Sequence, residues 1–381
     1  MIFNKTIKTS GLMATMCMGF LLASCQKEAA TSNEAAEAEE VPSVYEPAEV
    51  TTAPDDTSAD GPKPLQVFIV MGQSNTLEMG KVKGADQDDT LEYAVKTENL
   101  YPFLIDADGN WTTRDDVRNV SVMQKRNNMN VYRNDWLTVS GNKIGIEIGI
   151  GHKLGDAIDA PVMVLKSSIG NRGLGWDLLP PGSERFEFTD PKDGKTYLYP
   201  GYNDEVRHGR WEKGTTPEVP GHNWYAGKQY DDDVANAKKI LADLDKYYPG
   251  AEDYEIAGFI WWQGDKDTYD AGHAGRYGIN LANLILALRK DFDAPKAKFV
   301  CATLGQTEKE TAEGNQKLIL EGTMSVSDPA KHPEFEGDVA TVYSHPLSMG
   351  SSSNAHYAGN AKTYMNVGLA LGEEMAKLLK K

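Results

Sequence analysis

Four short patches place side chains suited to acyl-transfer chemistry directly after apolar runs of the chain. Gly72-Gln73-Ser74-Asn75 follows Gln66–Met71, and Ser168-Ile169-Gly170-Asn171 follows Val162–Ser167. Gln263-Gly264-Asp265-Lys266-Asp267 follows Ile256–Trp262, and Asn354-Ala355-His356 comes some way after Val339–Tyr343. Together they offer a hydroxyl, a glycine turn, an amide, two carboxylates and an imidazole. Those are the parts of a nucleophilic hydrolase: an attacking group, its base, an acid to orient the base, and donors for an oxyanion. Taken singly each part is bland, because a serine after a strand is commonly a turn residue and a lone histidine is commonly structural. Their order and placement give them weight. A second histidine, His345 in Tyr343-Ser344-His345-Pro346, competes for the role of base. The remaining histidines (152, 208, 222, 273 and 332) lack metal-ligand spacing and no HExxH pattern occurs, so neither a metal nor a cofactor is expected.

The elements that must position these groups read as α/β from about residue 63 onward. Five runs, the four above and Phe299–Leu304, are apolar without alternation, as strands buried on both faces are. Helical patterns fall between or after them. Asp231–Tyr248 opens on three aspartates and spaces Val234, Ala237, Leu241 and Leu244 along one side. Ile279–Arg289 and the stripe Tyr364, Val367, Leu371, Met375 and Leu378 are similar. This alternation implies a five-stranded parallel sheet covered on both faces, a three-layer α/β/α sandwich. In such sheets ligands bind beyond the carboxyl ends of the strands, where the four patches lie. Two long segments, 76–143 and 178–230, lack clear periodicity and read as loop insertions.

Val70-Met71-Gly72-Gln73-Ser74-Asn75 resembles the first block of the sialate O-acetylesterase and acetylxylan esterase group, carbohydrate esterase family six of the SGNH hydrolases. Lys166-Ser167-Ser168-Ile169-Gly170-Asn171, with Trp176, is similar to its second block. Trp262-Gln263-Gly264-Asp265-Lys266-Asp267 is similar to its HQGE-type motif, and His356 with the helix containing Gly368 to its last. The resemblance implies a flavodoxin-like SGNH fold and a serine esterase that removes O-acetyl groups from a carbohydrate. It implies Ser74 as nucleophile, His356 as base and Asp265 as orienting acid, with Asp267 in reserve. Oxyanion donors would be the backbone N–H groups of Ser74 and Gly170 and the side-chain amide of Gln263. The chain departs from the pattern at three positions. Asn171 stands for the second glycine of a Gly-Gly pair, Asp265 for a glutamate, and Ser353 for an aspartate three residues before the histidine. Esterase action on non-carbohydrate esters and non-catalytic glycan binding are the competing functions. Trp176, Trp211, Trp224, Tyr225 and Tyr230, in or near the second insertion, could stack on sugar rings or pack a small core of their own.

The N-terminus reads as a targeting signal. Lys5 and Lys8 precede the apolar stretch Gly11 to Leu22, which is short for a membrane span, and Leu22-Ala23-Ser24-Cys25 resembles a bacterial lipobox. That assigns residues 1–25 to a signal and Cys25 to lipidation. The mature protein would be tethered to a membrane of the bacterial cell envelope, in the periplasm or at the surface, or be secreted. Residues 26–62, acidic and poor in large aliphatic side chains, read as a disordered stalk, and 63–381 as the esterase domain. Of three cysteines only Cys301, in an apolar run, remains beyond the signal and anchor, so it reads as an inert buried thiol. With 56 acidic against 39 basic residues the net charge is −17, which repels phosphate backbones, so no nucleic acid partner is expected. The expected partner is an acetylated polysaccharide or oligosaccharide.

Overall fold

The computed structural model describes residues 57–58, 61–125, 128–219 and 224–380. All lie in the unit spanning Pro42–Lys381. The signal, Cys25, nearly all of the stalk, and His222 lie outside the described residues.

The central sheet is built from seven strands: β1 (Leu65–Gly72), β2 (Thr113–Lys125), β3 (Asn128–Thr138), β4 (Val162–Ser167), β5 (Tyr254–Trp262), β6 (Lys298–Ala302) and β7 (Val339–Val342). Five longer helices accompany it: α1 (Glu147–Ala157), α2 (Lys228–Leu241), α3 (Ala271–Asp291), α4 (Gly314–Ser325) and α5 (Ala361–Leu379). Strand order is β7-β6-β5-β1-β4-β2-β3. The pairings are parallel except for β3, which closes one edge antiparallel to β2. Because side chains alternate across the pleat, Leu65, Val67, Ile69 and Met71 of β1 join one core with α2, α3 and α4. Phe68 and Val70 join the other with α1 and α5. The three-layer α/β/α sandwich is thus as expected, and β1 reads as a continuous apolar run because both of its faces are covered.

The strand count is corrected from five to seven. The two additional strands lie inside the insertion 76–143, where no apolar run marks them. β2 carries charges within the sheet. Arg114 pairs with Asp116, and the Arg118 guanidinium donates to the Tyr247 and Asn134 carbonyls. β3 is an edge strand whose residues are mostly half-exposed, so it can be polar. The second insertion also contains strands. Phe186–Thr189, Thr196–Tyr199 and Trp211–Glu212 form a small antiparallel sheet with Tyr199 buried and stacked on Phe186. Helix limits shift too. The expected Asp231–Tyr248 helix begins at Lys228 and ends at Leu241, with a separate turn at Leu244–Tyr247. α3 opens eight residues before the apolar stripe, where Asp270 caps it by accepting from the Gly272 and His273 N–H groups. Three glycines in its first turns had diluted the pattern.

Cys301 is fully buried in β6, and burial pushes its thiol up to about 12, as an inert structural thiol requires. Among the described residues no helix is long and apolar enough to cross a membrane.

Candidate active site

Register brings three strand ends level. Gly72 lies opposite Trp262, and Val70 opposite Lys166. Gly72 has φ +153°, and a Cβ there would sit 2.5 Å from the Trp262 carbonyl oxygen. Only glycine allows β1 to leave the sheet this close to β5. The chain then folds into a short 3₁₀ turn, Ser74–Thr76. The Thr76 N–H and hydroxyl both donate to the Gln73 carbonyl (2.9 and 2.6 Å), and the Leu77 N–H donates to the Ser74 carbonyl (3.0 Å). Gln73, Asn75 and Thr76 are buried while Ser74 is half-buried, so the turn presents its serine.

The turn after β4 packs against it. A Cβ on Gly170 would meet the Ser74 Cβ at 3.5 Å, so the Gly170 backbone faces the serine. Asn171, in place of a glycine, has φ +59°. That is the left-handed region asparagine tolerates better than other side chains, so the substitution preserves the turn. Beneath the turn, the Ser167 hydroxyl donates to the Asp233 carbonyl at 2.8 Å.

The segment after β5 corrects two expectations. The Gln263 Nε2 faces three acceptors: Gln73 Oε1 at 3.1 Å, the Arg172 carbonyl at 2.9 Å and Asp267 Oδ2 at 2.6 Å. An amide has two N–H groups, so none remains for an oxyanion. Gln263 as arranged braces Gln73, and its own Oε1 is buried without a partner. Asp267 is fully buried and accepts from the Leu174 and Gly175 N–H groups (2.8 and 2.7 Å) as well as from Gln263. It ties two loops together and leaves the role of triad acid. The Asp265 carboxylate, also buried, makes no hydrogen bond or ion pair among the described residues, while its backbone carbonyl accepts from the Thr268 hydroxyl at 2.7 Å. Burial, with the negative charge of Asp267 added, raises its pKa.

His356 stands in the turn Ser353–Gly359, where His356, Tyr357 and Ala358 have φ of 51°, 53° and 55°. A left-handed run of non-glycine residues costs about 1–2 kcal/mol per residue, so tertiary contacts must impose it. Tyr357 supplies most of them. Its ring stacks on Trp262 (5.6 Å, 11°) and its hydroxyl accepts from the Gly305 N–H at 3.0 Å. The Tyr364 hydroxyl donates to the His356 carbonyl at 3.2 Å. The Asn75 side-chain amide donates to the Ser353 hydroxyl and so joins the serine turn to the histidine turn. The residue in the place of the expected aspartate is therefore the link between them.

The structure thus gathers Ser74, Gly170 and the His356 turn at one sheet edge. It does not join Ser74, His356 and Asp265 by hydrogen bonds. Partial burial and, after it, the positive charge of Lys143 hold His356 below the ordinary imidazole range. His345 instead bonds through Nδ1 to the Gly305 carbonyl (2.8 Å) and stacks near Tyr343. Sequence reasoning missed Tyr357, Asn75 and Lys143. Of these only Asn75 carried a signal, by its place in the GQSN patch.

Of the aromatic residues in the second insertion, Tyr230 is core and donates to Asp291, and Tyr225 donates to Asp231. Trp211 belongs to the small sheet and sits under Arg185. Trp224 leans on Trp176 and lines a groove of about 550 Å³ beside the 169–172 turn.

Residues 209–377 match the family described as carbohydrate esterase, sialic acid-specific acetylesterase. The match covers less than half of the chain and agrees with the resemblance read from the sequence. The stretch includes Asp265 and His356, while Ser74 and Gly170 precede it. A comparison with curated proteins gives no match. Among solved structures, a protein from Arabidopsis thaliana is 15% identical, with TM-score 0.44, covering 82% of this chain and 98% of that one. A carbohydrate acetylesterase from Xanthomonas citri is 12% identical, with TM-score 0.43, covering 81% of this chain and 55% of that one. NanS is 14% identical, with TM-score 0.36, covering 77% of this chain and 79% of that one.

Proposed function

We propose that the protein is a serine esterase that removes O-acetyl groups from a carbohydrate, with Ser74 as nucleophile, His356 as base and Asp265 as orienting acid. The observation that carries the reading is the meeting of Gly170 with Ser74 at a sheet edge bound to the His356 turn through Asn75 and Ser353. His356 takes the hydroxyl proton as Ser74 Oγ bonds to the acetyl carbon. The backbone N–H groups of Ser74 and Gly170 hold the oxyanion, and Asp265 stabilises the imidazolium. Collapse expels the sugar oxygen, which takes the proton from His356. Water then attacks the acetyl-serine and gives a proton to His356; collapse breaks the bond from Ser74 Oγ to the acetyl carbon, His356 returns the proton to Ser74 Oγ, and acetic acid leaves and ionises to acetate. Closing the triad requires the imidazole to approach both Ser74 and Asp265 when substrate binds, as catalytic hydrogen bonds often tighten only in the complex.

The unjoined triad also favours a second reading, a non-catalytic glycan-binding protein. Acetate release separates the two. Acetylated xylans, pectins, sialic acids and algal glycans are incubated with the wild type, with Ser74→Ala as blank. Release that disappears in the variant, by at least about 10³-fold, supports the esterase. Binding without release supports the alternative. For Cys25 we propose lipidation at the bacterial cell envelope, supported by its lipobox setting. Radiolabelled palmitate should label the wild type and not Cys25→Ala.

A further inference from the structure

The groove beside the 169–172 turn is lined by neither Ser74 nor His356. It therefore cannot hold the acetyl group, and at about 550 Å³ it is far larger than one needs. It nonetheless adjoins the reacting centre, because Ile169 and Arg172 line it while Gly170, between them, faces Ser74. Its walls combine two characters. Trp224 and Ile169 are apolar, and Arg172, Lys125, Gln229 and Asp232 are polar. A sugar unit has the same two characters, an apolar ring face and a hydroxyl rim. Arg172 is held by its neighbours in the wall: Nε donates to Gln229 Oε1 at 3.3 Å, and the guanidinium lies 5.1 Å from the Trp224 ring centre. A wall held in place before binding loses little side-chain entropy when a ligand arrives. Lys125 is exposed and makes no ion pair among the described residues.

We infer that this groove is a subsite for the glycan chain next to the acetylated sugar, with Trp224, Arg172 and Lys125 as its specificity-determining residues. The inference rests on the esterase reading and adds that the substrate is an oligosaccharide or polysaccharide rather than a single sugar. Sugar units flanking the ester occupy the groove and gain contacts that the acetylated monosaccharide cannot make.

The test compares kcat/KM of the full chain on acetylated xylose and on acetylated xylo-oligosaccharides. A parallel series uses acetylated galacturonic acid and its oligomers, and para-nitrophenyl acetate reports the reacting centre. The expected result in at least one series is a rise in kcat/KM with chain length. Trp224→Ala should cancel that rise, by about five- to tenfold, Trp224→Phe should retain most of it, and Lys125→Ala should reduce it about two- to threefold. A wild type indifferent to chain length in both series overturns the subsite while leaving the esterase standing. So does a Trp224→Ala variant that loses the same factor on para-nitrophenyl acetate as on the oligosaccharides, since that marks a distorted 169–172 turn. Lys125, on the exposed surface, keeps the proposal open to failure even if Trp224→Ala folds poorly. A folded wild type that releases acetate from no ester, para-nitrophenyl acetate included, overturns the esterase reading and the subsite together.

Discussion

The turn that carries Ser74 and the turn that carries His356 meet through the bond from Asn75 to Ser353, yet they are held in different ways. The serine turn is set by the sheet. Gly72 lies against the Trp262 carbonyl, and Thr76 closes the turn onto the Gln73 carbonyl. Its geometry follows from residues within four positions of Ser74 and from one neighbouring strand. The histidine turn also closes locally, with the Ala355 and Tyr357 N–H groups donating to the Ser352 carbonyl (3.1 and 3.0 Å), but these bonds join residues that do not favour its left-handed run. Its three left-handed residues are imposed from outside by the Tyr357 ring on Trp262 and by the Gly305 and Tyr364 hydrogen bonds. The proposed site therefore pairs a locally specified serine turn with a histidine turn whose position depends on packing. Changes near Ser74 should affect chemistry or fold outright, and changes around His356 should tune both.

The sharpest way to break this comparison is through the two carboxylates. Asp265→Asn should lower turnover by about 10²- to 10⁴-fold with the fold intact, because an amide cannot balance an imidazolium charge. Asp267→Asn should act first on stability, since it weakens bonds to the Leu174 and Gly175 N–H groups at a fully buried site. A loss of about 2–3 kcal/mol in urea unfolding is expected. If Asp265→Asn is harmless to turnover, the acid assignment is wrong. If Asp267→Asn leaves the unfolding midpoint unchanged, its role as a tie between loops is wrong.

On the histidine side, Tyr357→Phe keeps the ring stack but leaves the Gly305 N–H buried without an acceptor. It should cost about 1–3 kcal/mol and lower kcat more than it raises KM, measured by urea unfolding and steady-state kinetics on para-nitrophenyl acetate. An unchanged kcat would detach the Tyr357 hydroxyl from the placement of His356.

The same contrast governs what could be read from the chain. β1, β4, β5, β6 and β7 announce themselves because strands buried on both faces must be apolar. β2 and β3 do not, because Arg118 finds carbonyl acceptors only in the folded protein and β3 is a partly exposed edge. Ser74 and Gly170 were legible for the local reason given above. Asn171 was legible as a departure, and its left-handed φ explains why an asparagine can stand there. Gln263 was misread because the direction of an amide is fixed by its neighbours. Gln73, 190 positions away, and Asp267 capture its N–H groups. Asp267 was a reserve acid in sequence, and it became a loop tie only through contacts some ninety positions away. The left-handed histidine turn had almost no signal, since tyrosine and alanine disfavour that conformation and the modest enrichment of histidine there does not mark a run of three.

A smaller effect concerns the charge facing the base. Burial comes first in depressing the pKa of His356, and Lys143 adds to it. In the proposed mechanism His356 must be neutral to act, so a depressed pKa carries activity to lower pH than an ordinary histidine would allow. Lys143→Met removes the second cause. The imidazole then binds its proton more readily, and the acidic limb of kcat/KM should move to higher pH with the plateau unchanged. The pH profile of para-nitrophenyl acetate hydrolysis measures this. A limb that stays in place would show that Lys143 does not act on His356, or that another group titrates there.

The smallest expected effect probes the histidine turn most directly, because it predicts a gain. Ala358 is exposed and adopts φ 55°, so its methyl group contributes strain and little packing. Glycine removes a left-handed penalty of about 1–2 kcal/mol and returns about 0.5–1 kcal/mol through the greater entropy of the unfolded chain. Ala358→Gly should therefore stabilise the protein by roughly 0.5–1 kcal/mol, a small rise in the urea midpoint at unchanged slope. The same substitution in an ordinary right-handed or extended turn would destabilise, so the sign alone decides. A fall in the midpoint would mean that the residues after His356 are not left-handed. The base would then be carried by a turn as ordinary as the one that carries Ser74, and the contrast between the two halves of the site would be lost.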